Sequence, residues 1–419
     1  MTRGAPINAE RLWRRLDALA AITDPARPWT RRSFTPLHHD GRAWLAAAFS
    51  QAGLAVEVDA AGNLLGRRPG STPGRKPIAC GSHSDTVPSG GRYDGMLGVL
   101  AALEVAQSLA EQQVALRHPL EIIDFLAEEP SEFGLSCVGS STLTGAIDAD
   151  ALAIRRTDGS SLADGLRAAG GDPAGLAGCR RHPGDLAAFV ELHIEQGPVL
   201  EAAGLAVGVV SDIVGIRRLA LTIDGQADHA GTTPMHLRRD ALVGAARLVD
   251  AIHREARRLD GAPHYVVATV GRFDVSPNVV NAVPAQVRMV LEVRSNAGEI
   301  LQTLPRTVFG QLAGPLDELG LALQVREISL VPPTHCDERI QGEIERAAQA
   351  LGLTHRRLPS GAGHDAMWMS GLGPIGMIFV PCRGGRSHCP EESIEPRQAA
   401  DGAGLLYETI RRLDRDLDV

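Results

Sequence analysis

Residues 80–98, Cys-Gly-Ser-His83-Ser-Asp85-Thr-Val-Pro-Ser-Gly90-Gly91-Arg-Tyr-Asp94-Gly95-Met-Leu-Gly98, constrain the fold more than any other stretch of the chain. They begin where an apolar run (Pro77, Ile78, Ala79) should leave a buried strand. They cross a glycine-rich turn and end where a helix with apolar periodicity (Val99, Leu100, Leu103, Val105) should begin. A strand, a polar turn and a helix in that order place a His and two Asp at the carboxyl end of a strand, where open α/β sheets hold their ligands. An imidazole and carboxylates on a rigid loop suit a divalent metal, and the spacing His83-X-Asp85 lets the second residue orient the first. The competing reading is a polar turn with a satisfied histidine, and later segments decide between the two.

Helix-period apolar positions recur at residues 9–22 and 39–52, and strand-like runs follow at 54–58, 63–66 and 78–81. After a helix to about Gln113, Leu120–Leu126 reads as a buried strand, so strands alternate with helices and a mostly parallel sheet covered on both faces is expected. That strand runs into Glu128-Glu129, two acids that crowd unfavourably unless a cation or a proton relieves them. Residues 186–196 form a further strand ending in His and acids, and two-residue alternation would put Glu191, His193 and Glu195 on one side. From Ile216 to Leu330 the order becomes strand, helix, strand, strand, helix, strand, the pattern of a ferredoxin-like sandwich. Val331-Pro332-Pro333-Thr334 reads as a linker back to α/β sequence. The expected division is therefore a catalytic domain over 1–213 and 331–419 with an inserted lid or dimerisation domain over 214–330. In the closing segment Ser387-His388 lies just beyond a buried strand at Gly376–Val380.

The net charge of −8 gives no basic footprint for nucleic acid. No stretch approaches the roughly 20 uninterrupted apolar residues of a membrane span. Arg11, Arg14, Arg15 and Asp17 interrupt the only early apolar face, so no secretory signal is read. Six scattered cysteines without a Cys-X-X-Cys pair suggest neither a disulfide framework nor a structural zinc site. A cytoplasmic location is expected.

His83, Asp85 and Asp94, the Glu128-Glu129 pair, His193 and His388 would all sit at loop ends of one sheet. Three His with several carboxylates make a site for zinc, manganese or cobalt, and five ligands suffice for two ions if one carboxylate bridges them. Hydrolysis is the natural chemistry of such a pair. A serine hydrolase is disfavoured because no Gly-X-Ser-X-Gly turn follows a strand.

The order His-X-Asp, Gly-Gly-X-X-Asp-Gly, Glu-Glu, a distant His and a carboxyl-terminal Ser-His resembles the metal-dependent M20-type peptidase and amidohydrolase family. Four longer motifs are similar to its N-carbamoyl-amino-acid amidohydrolase, β-ureidopropionase and allantoate amidohydrolase group. They are Glu191-Leu-His-Ile-Glu-Gln-Gly-Pro-Val-Leu-Glu201, Asp228-His-Ala-Gly-Thr-Thr-Pro-Met235, Pro277-Asn-Val-Val-Asn281 and Ser360-Gly-Ala-Gly-His-Asp365. The resemblance implies one metal on His83, Asp94 and His193 and another on Asp94, Glu129 and His388, with Glu128 as general base and Asp85 orienting His83. It further implies that His229 reaches the site of a partner subunit in a homodimer. Gln196, Asn281, Arg294, Gly363 and His364 are implied to bind a small ureido-acid substrate. The activity implied is cleavage of the ureido C–N bond of N-carbamoyl L-amino acids, with allantoate-type hydrolysis, or dipeptidase and deacylase activity, as alternatives. Pro130, Glu132, Glu292, Arg386 and Cys389 depart from the group's usual residues, which bears on the substrate and not on the metals.

Overall fold

The computed structural model describes residues 6–417. Its strands, in chain order, are β1 (Ala55–Val58), β2 (Leu64–Arg68), β3 (Ile78–His83), β4 (Leu120–Phe125), β5 (Ala188–Ile194), β6 (Val207–Ile213), β7 (Gly215–Asp224), β8 (Val266–Ser276), β9 (Gln286–Ser295), β10 (Ala322–Val331), β11 (Thr334–His335), β12 (His355–Ser360) and β13 (Ile375–Val380). The chain divides into two compact units, residues 1–211 with 336–419, and residues 212–335.

In the first unit the sheet runs β1-β2-β4-β3-β5-β13-β6, with β12 also paired to β6. The four central strands β4, β3, β5 and β13 are mutually parallel, and antiparallel pairs β1-β2-β4 and β13-β6 flank them. All four are buried along their whole length, as strands covered on both faces must be. On one face pack Ala9–Ala20, Met96–Glu111, Glu338–Leu351 and Pro396–Asp416, contributing Leu12, Leu97, Leu100, Ile344 and Leu406 to the main core. A smaller cluster that includes Phe34, Leu126, Phe133, Val138 and Leu166 lies apart from it. The amino-terminal helix also docks through polar contacts, chiefly the Arg11 guanidinium, which donates from Nε and Nη2 to the two oxygens of buried Glu104 at 2.7 Å each. Arg15 and the Ser108 hydroxyl add to the same carboxylate, so its burial inside the helix layer is compensated by charge-assisted and neutral donors together.

From β3 the chain returns to β4 on one side, and from β5 it reaches β13 on the other. The order therefore reverses between β3 and β5, and the crevice beyond their carboxyl ends is where an open α/β sheet takes a ligand.

In the second unit the sheet order is β10-β7-β9-β8, every pair antiparallel. Helices Ala241–Leu259 and Gly298–Glu318 share one core with Leu219, Leu221, Ile223, Val287, Met289, Leu291 and Val293. This is the arrangement that a strand-helix-strand-strand-helix-strand order gives in a ferredoxin-like sandwich. At the segment read as a linker, β10 ends with Val331 paired to Ile216, Pro332 and Pro333 lie in no strand, and the chain then pairs through β11 (Thr334–His335) with Ile213 and Asp212 of β6. No helix among the described residues is long and apolar enough to cross a membrane.

Candidate active site at the carboxyl edge of the parallel strands

Each of the four central strands delivers one part of the site. His83 ends β3, Glu128 and Glu129 follow β4, His193 is the penultimate residue of β5, and His388 follows β13. Asp94 lies in the turn between β3 and the helix Met96–Glu111, whose amino end is Gly95 at φ +68. At that position a Cβ would lie 2.4 Å from the His83 ring, so only glycine lets the turn close. Gly95→Ala is therefore expected to destabilise the protein by about 1–2 kcal/mol through the left-handed backbone alone and to displace His83 as well. Thermal unfolding together with bound-metal analysis would check this, and an unchanged metal content would refute the packing argument.

Asp94 stands at the centre. Its Oδ1 lies 3.0 Å from His193 Nε2 and 3.8 Å from His83 Nε2, and its Oδ2 lies 2.9 Å from His388 Nε2. His388 Nε2 is 3.1 Å from Glu129 Oε1. Two donor triplets thus share one carboxylate: His83, Asp94 and His193, and Asp94, Glu129 and His388. All but half-exposed His388 are buried. His83 Nδ1 is 3.0 Å from the Asp85 carbonyl oxygen and His193 Nδ1 is 2.9 Å from that of Ile194. A carbonyl can only accept, so each Nδ1 carries a proton and donates it, and each Nε2 faces Asp94, where a proton sits unless a cation replaces it. Imidazole nitrogens converging with buried carboxylates are a donor set that suits divalent ions.

The electrostatics point the same way. Burial would push the Asp94 carboxyl up, but hydrogen bonds from His193 and His388 hold it well below the usual range. Burial pushes Glu128 well above it, with the neighbouring Glu129 adding to the effect. Hydrogen bonds to Asp94 and Glu129 carry His388 up to about 11. Where no metal sits, protons compensate the crowded acids, and metal binding displaces such protons.

Glu128 belongs to neither triplet. Its Oε2 is 3.6 Å from His83 Nε2, and its Oε1 accepts the Cys137 thiol at 3.5 Å. Asp85 meets His83 twice: its carbonyl oxygen is 3.0 Å from His83 Nδ1, and its carboxylate Oδ1 is 3.6 Å from the same nitrogen. Oδ1 and Oδ2 also accept the backbone N–H groups of Glu128 and Glu129 at 3.2 and 3.3 Å, so the carboxylate fixes the acidic turn as well. Glu195 also departs from the alternation argument: it lies one residue past β5 and accepts from the N–H groups of Val199 and Leu200.

Gln196 donates to Asp94 Oδ2 at 3.0 Å. His364 is buried, its ring 4.6 Å from that of His193 and its Nε2 2.8 Å from Ser360 Oγ, and Gly363 precedes it half-buried. In the second unit His229 and Asn281 come together: Ala230 N–H donates to the Asn281 carbonyl, and His229 bridges to Ala282. His229 Nδ1 accepts from the N–H groups of Gly231 and Thr232 at 3.0 and 3.1 Å, which leaves the ring proton on Nε2. Arg294 lies near the far end of β9, paired with Ile216, and its Nε donates to Glu292 at 2.7 Å. Reading the sequence missed Cys137, whose contact with Glu128 has no local signal. It also missed that Ala127, Cys137, Gln196 and His388 all take positive φ, strain that gathers at this edge of the sheet.

Comparison with known proteins agrees with this geometry. Over 408 residues the chain is 40% identical to an N-carbamoyl-L-amino acid amidohydrolase of Geobacillus stearothermophilus, covering 97% of this chain and 99% of that one. It is 34% identical over 385 residues to an allantoate amidohydrolase of Bacillus subtilis, covering 92% of each. A crystal structure of an amidase of the hydantoinase/carbamoylase family from Burkholderia multivorans superposes with a TM-score of 0.91 at 35% identity and 98% coverage of both chains. Residues 79–412 match the model of peptidase family M20/M25/M40, and the chain belongs to that family.

Proposed function

We propose that this protein is a metal-dependent amidohydrolase that cleaves the ureido C–N bond of an N-carbamoyl L-amino acid, releasing the amino acid, ammonia and carbon dioxide. The observation that carries the reading is the pair of donor triplets sharing Asp94, with Glu128 beside them but outside both. The name borne by the Geobacillus relative, 40% identical across the whole chain, supports the substrate class. Two divalent ions, of zinc, manganese or cobalt, would be held by His83, Asp94 and His193 and by Asp94, Glu129 and His388. When bound they would polarise the carbamoyl oxygen and acidify a water molecule.

The chain's own groups do the rest. Glu128 takes the proton of the attacking water and returns it to the departing nitrogen. Loss of ammonia leaves a carbamate, which loses carbon dioxide to give the free amine. Asp85 holds the Glu128-Glu129 turn. The Nε2–H of His229 donates to the oxygen that gains charge, and Asn281 binds beside it. Arg294 grips the substrate carboxylate with a planar fork of donors, while Gln196, Gly363 and His364 complete the pocket. The ferredoxin-like unit acts as lid and dimerisation surface of a cytoplasmic homodimer.

Allantoate is the second reading, supported by the name of the Bacillus relative, because it too carries a ureido group and a carboxylate. Chelation is expected to abolish activity, and added Mn²⁺ to restore it. Ammonia release from N-carbamoyl-L-methionine, and little from allantoate, is the expected outcome; the reverse preference selects the second reading. Turnover of neither, with amine release from N-acyl amino acids, would sink the ureido assignment.

A further inference from the structure

Glu392 has no part in the mechanism above, yet it is 1% exposed and both of its oxygens are engaged around the metal ligands. Oε1 accepts the backbone N–H groups of Tyr93 at 2.7 Å and Asp94 at 3.2 Å, and Oε2 accepts the Ser387 hydroxyl at 2.8 Å. One carboxylate therefore ties the turn that carries Asp94 to the segment that carries His388, across 298 positions of sequence. Gln196 closes the circuit, donating to Ser387 Oγ at 3.3 Å and to Asp94 Oδ2 at 3.0 Å. The turn is shaped to admit the carboxylate: Gly91 has φ +118, and a Cβ there would lie 2.3 Å from Glu392 Oε1. Neighbouring Glu391 is exposed and pairs with Arg386, and the following helix is capped by Glu395, so neither a surface ion pair nor a helix cap accounts for Glu392.

We propose that Glu392 is a positioning residue that sets the spacing of Asp94 against His388 and thereby the affinity of the Asp94, Glu129 and His388 triplet for a divalent cation. Charge-assisted bonds to two backbone amides and a hydroxyl hold the bridging ligand by its main chain, where its own side-chain oxygens stay directed at the site. Partners of this kind around a metal centre change affinity or activity by about 10–100-fold when removed. The proposal rests on the reading that this triplet binds a cation, but not on the identity of the substrate.

The test is calorimetric titration of Mn²⁺ into the chelator-stripped full-length protein and its variants, with Co²⁺ absorption spectra as a second readout. Glu392→Ala is expected to weaken the second equivalent of Mn²⁺ about 10–100-fold and to shift the Co²⁺ spectrum, whereas Glu392→Gln, which keeps an acceptor for the two amides, stays within about 5-fold of wild type. Wild-type affinity for both equivalents in Glu392→Ala overturns the proposal. If that variant does not fold, Ser387→Ala decides: weakened binding supports the proposal and unchanged binding overturns it. A wild-type protein that takes up no Mn²⁺ overturns the cation reading as well, while uptake without ureido hydrolysis overturns the substrate reading alone.

Discussion

Glu128→Gln is expected to lower kcat on the preferred ureido substrate by about 10³-fold, within the range contributed by a positioned general base, while KM moves only a few-fold. The variant should retain its full complement of metal, because Glu128 belongs to neither donor triplet. Glutamine is close in size to glutamate and can still accept the Cys137 thiol that now donates to Oε1. Burial pushes that thiol well above its ordinary value, so it stays a donor. What glutamine cannot do is take up the proton that the attacking water must lose. Glu129→Gln makes the contrast, since Glu129 lies 3.1 Å from His388 Nε2 inside the second triplet and its loss should lower metal content first. Steady-state kinetics with metal analysis of both variants separates the roles of two adjacent residues of the same type. A Glu128→Gln protein with unchanged kcat would remove the general base from the mechanism.

Much of this site was legible because it is built from strand ends. His83, Glu128, His193 and His388 each follow an apolar run that could only be a buried strand, and the parallel arrangement sends all four runs to one edge. The antiparallel sheet order of the second unit followed in the same way from its sequence of strands and helices. The failures share a cause as well. Alternation placed Glu195 with Glu191 and His193, but the strand stops at Ile194 and the next residue turns to bind two amides. Glu392 and Cys137 gave no signal, because what they do depends on residues brought near by the fold and not on any local pattern.

Mixing two inactive variants, His229→Ala and Glu128→Gln, should restore activity if the site is shared between subunits. The reason lies within the ferredoxin-like sheet. His229 and Asn281 meet just beyond the end where Asp224 pairs with Gln286, whereas Arg294 pairs with Ile216 near the opposite end. Eight residues of extended strand separate the two ends, about 25 Å. No substrate of amino-acid size can touch His229 and Arg294 of the same chain at once. If both groups bind it, they come from different copies, and a two-fold dimer then has two such composite sites. Val279 and Val280 before Asn281, with Met235 and Leu237 after the His229 loop, are exposed apolar side chains at that end, as expected of a surface that meets another protein. In a co-expressed mixture half the dimers are mixed, and each mixed dimer has one site with both Glu128 and His229 intact. Activity should therefore rise from near zero to about a quarter of wild type. Were His229 to act on its own chain's site, every site in the mixture would lack one group, and activity would stay at the level of the separate variants.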